Sequence, residues 1–298
     1  MMDILHTAIG HTEARLNGAR MHLAHAGQGE LVVLLHGFPE CWYSWRRVMA
    51  ELAPHCRVVA PDCRGYHLSE QTPDLDAYRT EALCRDLLAL LEHEGVQRCV
   101  LVGHDWGGVL AWQFAARHPQ QVSRLVIVNA PHPQRFQWAL DHDPGQRAVS
   151  QYITRLRAPG CETRLEADGC APLWQIAFAD LERRGLVNAE DKAVYLEGWR
   201  RPGALTAMLN WYRAAPFVVP AMDEPFGDRP GRPPETLVQA PTLVIWGMRD
   251  EVLLPVLLDG LEAHVAALQI VKVEDAGHGI VHEQPDLMAR LIKEFVLS

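Results

Sequence analysis

Six short apolar runs, with helical patterns between most of them, constrain this chain more than any other feature. They are ELVVLLHG (30–37), CRVVAPD (56–62), RCVLVGHD (98–105), RLVIVNAP (124–131), PTLVIWG (241–247) and LQIVKVED (268–275). Each is nearly continuous in Val, Leu and Ile and does not alternate with polar residues. That is the pattern of strands covered on both faces, and therefore of a parallel sheet. The segment YRTEALCRDLLALLEHEG (78–95) sets Leu83, Leu87, Leu90 and Leu91 on one helical face and stops at Gly95, as a helix covering such a sheet should. Strand and helix in alternation imply right-handed βαβ crossovers. Ahead of them, RLNGARMHLAHAG holds Asn17-Gly18 between two short extended runs, which predicts an antiparallel hairpin.

The alternation fails between Ala130 and about Thr236. Trp174, Trp199 and Trp211 there accompany helical, strand-poor sequence, and seven prolines from Pro216 to Pro241 exclude a helix or central strand on the way out. The expected organisation is an α/β core over residues 1–130 and 236–298, a helical cap over 131–235, and an extended return linker. A chain of 298 residues accommodates this as one core with an insertion.

Composition removes several classes of function. The formal charge of −9 comes with no long basic stripe to follow a phosphate backbone, so nucleic acid is not an expected partner. No apolar stretch reaches about 18 residues and no basic segment leads into an apolar run, so no membrane association or export is expected. Seven cysteines, odd in number, scattered and without C-x-x-C spacing, suggest neither a disulfide framework nor zinc and fit a cytoplasmic location.

The chemistry concentrates in VGHDWGG (102–108), where Gly103 and Gly107 flank Asp105 between an apolar strand and a helical pattern. Such a junction turns sharply and holds its central side chain out at the C-terminal edge of a sheet. A serine there must lose a proton to attack, whereas aspartate, with a reference pKa of about 3.9, is already an anion at neutral pH. A carboxylate attacking an acyl carbonyl yields an easily reversed anhydride. Attacking a saturated carbon, it yields a stable alkyl ester. The expected leaving atom is thus an epoxide oxygen or a halide.

HGFPE (36–40), GHDWGG (103–108), WGMRDEV (246–252) and AGHGIVHEQP (276–285), in the order nucleophile, acid, histidine, resemble the α/β-hydrolase fold. NAPHPQRF (129–136), QYITRLRAPG (151–160) and LNWYR (209–213) extend the resemblance, over nearly the whole chain, to its epoxide hydrolases. The resemblance implies a mostly parallel central sheet flanked by helices, with an inserted helical cap, and a small-molecule epoxide opened through an ester on Asp105. His278, between two glycines, would be the base that activates water, with His282 its competitor. Asp250 would orient and stabilise His278, Glu251 being the weaker candidate. Backbone N–H groups of Phe38 and Trp106 would hold the oxyanion, and the Phe38-Pro39 peptide is expected to be cis. Tyr152 and Tyr212 would protonate the epoxide oxygen, and Phe38, Pro39, Trp106 and Trp211 would contact the substrate.

No metal or organic cofactor is implied, and of assembly only that a homodimer is admissible. Departures from the pattern are His67 and Leu68, where relatives usually show a glycine and a variable residue, and Gly279, where an aromatic is common. They bear on substrate fit. One alternative is a haloalkane or haloacid dehalogenase using the same nucleophile. Against it, Phe38 offers a halide no polar side-chain hydrogen, and Trp106 stands where a fluoroacetate-type enzyme would want a cation. The other alternative is a non-catalytic small-molecule receptor, which the joint presence of Asp105, Asp250 and His278 disfavours.

Overall fold

In the computed structural model, which describes residues 9–229 and 237–297, eight strands form a single sheet. They are β1 (Gly10–Leu16), β2 (Ala19–Ala26), β3 (Leu31–Leu35), β4 (Arg57–Pro61), β5 (Cys99–His104), β6 (Val122–Val128), β7 (Thr242–Gly247) and β8 (Leu268–Val273). Their spatial order is β1-β2-β4-β3-β5-β6-β7-β8. β1 and β2 pair antiparallel, as do β2 and β4, and every later neighbour is parallel. This is the mostly parallel sheet that the apolar runs predict, in the form that the resemblance to the α/β-hydrolase fold implies.

Most of the six runs became strands because they lose both faces to packing. β3, β5 and β7 are buried at every residue, whereas β8, at the sheet's edge, keeps Gln269, Ile270 and Lys272 exposed. One face is covered by the helices Thr80–His93 and Trp106–Arg117, the other by Arg46–Leu52 and Pro285–Leu297. Asn17 (φ 45°) and Gly18 (φ 81°) turn the β1–β2 hairpin with two successive positive φ angles, as a type I′ turn requires.

The boundaries moved for local reasons. The helix expected from residue 78 starts at Thr80, because Leu75–Tyr78 forms a separate 3₁₀ turn whose entry is capped by the Asp74 carboxylate, accepting from the Asp76 N–H. β6 begins at Val122 and ends before Asn129, which turns the chain at φ 36°.

Between β6 and β7 the described residues hold seven helices and no strand: Pro133–His142, Pro144–Val149, Gln151–Arg157, Cys161–Ala177, Ala179–Arg183, Ala189–Trp199 and Ala204–Ala214. Two indoles pin them above the sheet's C-terminal edge, Trp199 Nε1 donating to the Pro39 carbonyl (2.7 Å) and Trp211 Nε1 to that of Arg64 (3.0 Å). The return from Ala215 to Arg229 contains neither helix nor strand. The rest of the expected linker, residues 230–236 with the 235/236 boundary, lies outside the described residues. All seven cysteines are buried and free, and among the described residues no helix is long and apolar enough to cross a membrane.

Candidate active site

β5 runs into Asp105, whose backbone sits at φ 50°, ψ −122° before the helix Trp106–Arg117 begins. A non-glycine residue held there is strained, and the surroundings must enforce it. They do so through close approaches only glycine permits. A Cβ on Gly103 would stand 2.4 Å from the Gly107 carbonyl oxygen, and one on Gly107 would stand 2.3 Å from that of Leu35. A Cβ on Gly37 would meet the Asp105 side chain at 2.4 Å. The elbow thus presses the carboxylate against the loop after β3, where the Phe38 N–H donates to Asp105 Oδ1 at 2.7 Å. Trp106 opens the following helix, so its N–H has no acceptor within that helix.

The second oxygen, Oδ2, faces His278 Nε2 at 3.6 Å, an ion-pair contact too long for a hydrogen bond. His278 lies on the loop after β8, and its Nδ1 donates to Asp250 Oδ2 at 2.7 Å. A carboxylate only accepts, so Nδ1 carries the proton and a neutral ring turns its Nε2 lone pair towards Asp105. Asp250 is buried and fully satisfied. Oδ1 accepts from the Val252 and Leu253 N–H groups (2.9 and 2.8 Å), and Oδ2 accepts from Asn129 Nδ2 (2.8 Å) as well as from His278. Burial opposes the Asp250 charge, but the His278 cation and these hydrogen bonds outweigh it and hold the carboxyl below its ordinary range.

Burial likewise opposes a charged His278, yet the negative Asp250, and then Asp105, hold its pKa well above the ordinary value. The Asp105 share vanishes once that carboxylate is neutral. Asp105→Asn is therefore expected to lower the His278 pKa, read as the titration midpoint of its ring proton by NMR. An unchanged midpoint would mean the two groups do not interact.

Tyr152, on the helix Gln151–Arg157, and Tyr212, on Ala204–Ala214, meet edge-on with centroids 6.3 Å apart. Tyr212 is buried, and its ring also packs edge-on against Phe38 (5.1 Å) and Trp106 (4.9 Å). Burial first pushes both phenols up, followed by the negative Asp105 for Tyr152 and by Tyr152 and then Asp105 for Tyr212, so both stay proton donors across the neutral range. If the phenols are the acids that the family resemblance implies, Tyr212→Phe should slow epoxide opening about 10²-fold, and the double change with Tyr152→Phe further still, within the ~10²–10⁴ typical of acid assistance. The rate of ester formation in a single turnover checks this.

The structure therefore gathers Asp105, His278, Asp250, Phe38, Trp106, Tyr152 and Tyr212 at one place. Trp211 is buried, 6.2 Å from Trp106, with its indole committed to Arg64. The Phe38-Pro39 peptide is cis, and Pro39 is buried with its carbonyl taken by Trp199. His282 sits elsewhere, its Nε2 on Glu40 Oε1 at 2.7 Å, and Glu251 is exposed.

Sequence reasoning passed over several neighbours. Asn129 holds Asp250 while also spanning Gly247 N and O. His104 Nε2 donates to the His278 carbonyl (2.9 Å). Arg157, one helical turn and more beyond Tyr152, donates to the carbonyls of Tyr212, Ala215 and Phe217 at 2.8, 3.1 and 2.8 Å, fastening the two tyrosine helices together. The fully buried Tyr66 hydroxyl has no hydrogen-bond partner. Asn129 stands in NAPHPQRF and Tyr66 directly before the departures His67 and Leu68, but no spacing rule marks either.

Residues 30–285 match the family described as alpha/beta hydrolase fold. The AB hydrolase superfamily protein YfhM of Bacillus subtilis is 36% identical over 94% of this chain and 95% of its own length. Epoxide hydrolase 3 of Xenopus tropicalis is 33% identical over 98% of this chain and 78% of that protein. The crystal structure of a mutant of an epoxide hydrolase from Bacillus megaterium superposes with a TM-score of 0.89 at 30% identity, covering 96% of this chain and all of the other. The chain belongs to the α/β-hydrolase fold family, in the branch that holds these epoxide hydrolases.

Proposed function

We propose that this protein is an epoxide hydrolase, adding water to an epoxide to give a vicinal diol through an ester on Asp105. The observation that carries the reading is the division of labour between two oxygens of one carboxylate. Oδ1 is held by the Phe38 N–H, while Oδ2 stands beside His278, with the buried Tyr212 and the partly buried Tyr152 near enough for the Asp105 charge to act on both phenols.

Oδ2 attacks one epoxide carbon, the C–O bond breaks, and the departing oxygen takes the hydroxyl proton of Tyr212 or Tyr152. That removes the alkoxide, the strong base that would otherwise leave. The Asp105 carboxylate is now a neutral ester, one of the charges that favoured a protonated His278 is gone, and the imidazolium proton passes to the tyrosinate. Neutral His278 then takes a proton from water through Nε2, and the hydroxide adds to Asp105 Cγ. The charge that develops on Oδ1 meets the N–H groups of Phe38 and Trp106 already in place. Asp250 stabilises the imidazolium. Collapse breaks the ester bond, the leaving alkoxide takes the proton from His278 to complete the diol, and the proton of the Asp105 carboxyl so formed passes to His278, which restores the carboxylate and the imidazolium.

In this reading residues 131–235 act as a cap, supplying both tyrosines and excluding water from one side, with Trp106, Phe38, Pro39 and Trp211 walling the substrate. Side-chain groups supply nucleophile, base and acids, and the reaction as written calls on no cofactor.

Incubation with styrene oxide and with 1-chlorohexane, side by side, tests the assignment. Diol without chloride is expected. Chloride release would make the protein a dehalogenase, and neither product would make it a receptor.

A further inference from the structure

Away from Asp105, three buried side chains converge: His22 on β2, Asp62 just past β4, and His67 in the following loop, at 3%, 0% and 7% exposure. His22 Nδ1 and His67 Nδ1 both stand on Asp62 Oδ2, at 2.8 and 2.9 Å. That oxygen also accepts from the Leu68 N–H (3.2 Å), so three donors crowd one atom. His67 reaches the cluster only by adopting φ 43°, a conformation unusual for a residue with a Cβ. Its Nε2 is buried without a partner.

We propose that His22, Asp62 and His67 form a binding site for a first-row divalent cation, outside the reaction centre and independent of the function assigned above. Two imidazoles and one carboxylate make a familiar ligand set for such ions. Two donor atoms bound at about 2.1 Å and at right angles lie about 3.0 Å apart, whereas tetrahedral angles would separate them by about 3.4 Å. The observed 2.8 and 2.9 Å fit the right angle, which suits Co²⁺ or Ni²⁺ better than Zn²⁺. The donor atoms all lie within 4.8 Å of one another, and Asp62 can fill a further position by binding through both oxygens.

Two of the three ligands, His22 and Asp62, already have the outer partners a metal site needs. A histidine that binds through one nitrogen almost always has the other engaged, and its carboxylate neighbour is itself hydrogen-bonded. Here His22 Nε2 stands 3.0 Å from His11 Nδ1, and Asp62 Oδ1 accepts from the Trp42 N–H at 3.0 Å. Ligation through Nδ1 leaves the ring proton on Nε2, where His11 Nδ1 can accept the one from His22. The ion would then tie β2, the end of β4 and the 63–70 loop together. That loop lies directly against the Ala189–Trp199 helix, since a Cβ on Gly198 would stand 2.6 Å from His67 Cδ2.

The test is equilibrium dialysis of chelator-treated protein against Co²⁺, Ni²⁺ or Zn²⁺ alone, with the melting temperature measured on the same samples. The wild type is expected to take up about one equivalent of Co²⁺ or Ni²⁺ and to melt higher. His67→Gly, which suits the positive φ, and His22→Gln should each weaken binding at least 10- to 100-fold, the loss that even outer partners of a metal site produce. Circular dichroism verifies that both variants fold, and either folded variant suffices. Wild-type uptake well below one equivalent, or binding that survives in a folded variant, overturns the proposal.

Discussion

Replacing His278 by Gln is expected to stop the reaction halfway. In the proposed mechanism, opening the epoxide asks nothing of the imidazole, because the nucleophile is the Asp105 carboxylate and the acids are Tyr152 and Tyr212. Hydrolysis of the ester does need a base at Nε2, the atom 3.6 Å from Asp105 Oδ2, and glutamine offers none. Mixed with excess styrene oxide and denatured, the variant should gain the mass of one epoxide on the peptide containing Asp105. Steady-state diol production should fall by about 10³-fold or more, as when a member of such a triad is removed. A variant that loses activity without any adduct would place His278 in the first step instead.

Asp105→Ala has the larger effect. No neighbour can substitute for the carboxylate, since Asp250, the nearest acid in the triad, is buried with both oxygens engaged by four donors. Turnover should drop to background, and no adduct should form under conditions that label the His278 variant. The melting temperature separates this from unfolding. Activity within about 100-fold of wild type would remove Asp105 from the chemistry.

Parts of the molecule differ in how far they were legible in its residues. The parallel sheet was, because β3, β5 and β7 lose both faces and so carry uninterrupted apolar runs. Element ends were less so. The 3₁₀ turn Leu75–Tyr78 and the positive φ at Asn129 depend on single side-chain and backbone contacts that periodicity does not register. At the site, Asp105 and His278 stood out because glycines flank them, and the structure explains the glycines of the elbow by backbone crossings no Cβ could share. Asn129 did not, since an asparagine at a strand end has many ordinary uses, and only the fold brings it to Asp250 across 121 residues of chain. The two tyrosines were legible only through the family resemblance. Helical tyrosines among tryptophans are usually packing residues, and it takes the cap's geometry, with Arg157 joining their helices, to bring the phenols together. His67, a departure expected to bear on substrate fit, meets His22 on Asp62, a contact that no spacing in the sequence marks.

One isotope experiment addresses the central claim, that the bond to substrate carbon is made by an oxygen of Asp105 and broken by water at Cγ. Enzyme in excess over epoxide is allowed a single turnover in H₂¹⁸O, and the diol and the Asp105 peptide are weighed separately. The account expects an unlabelled diol, carrying one oxygen from the epoxide and one from the carboxylate, with ¹⁸O appearing in Asp105. A labelled diol alongside an unlabelled Asp105 would contradict it, because water would then have attacked the epoxide directly.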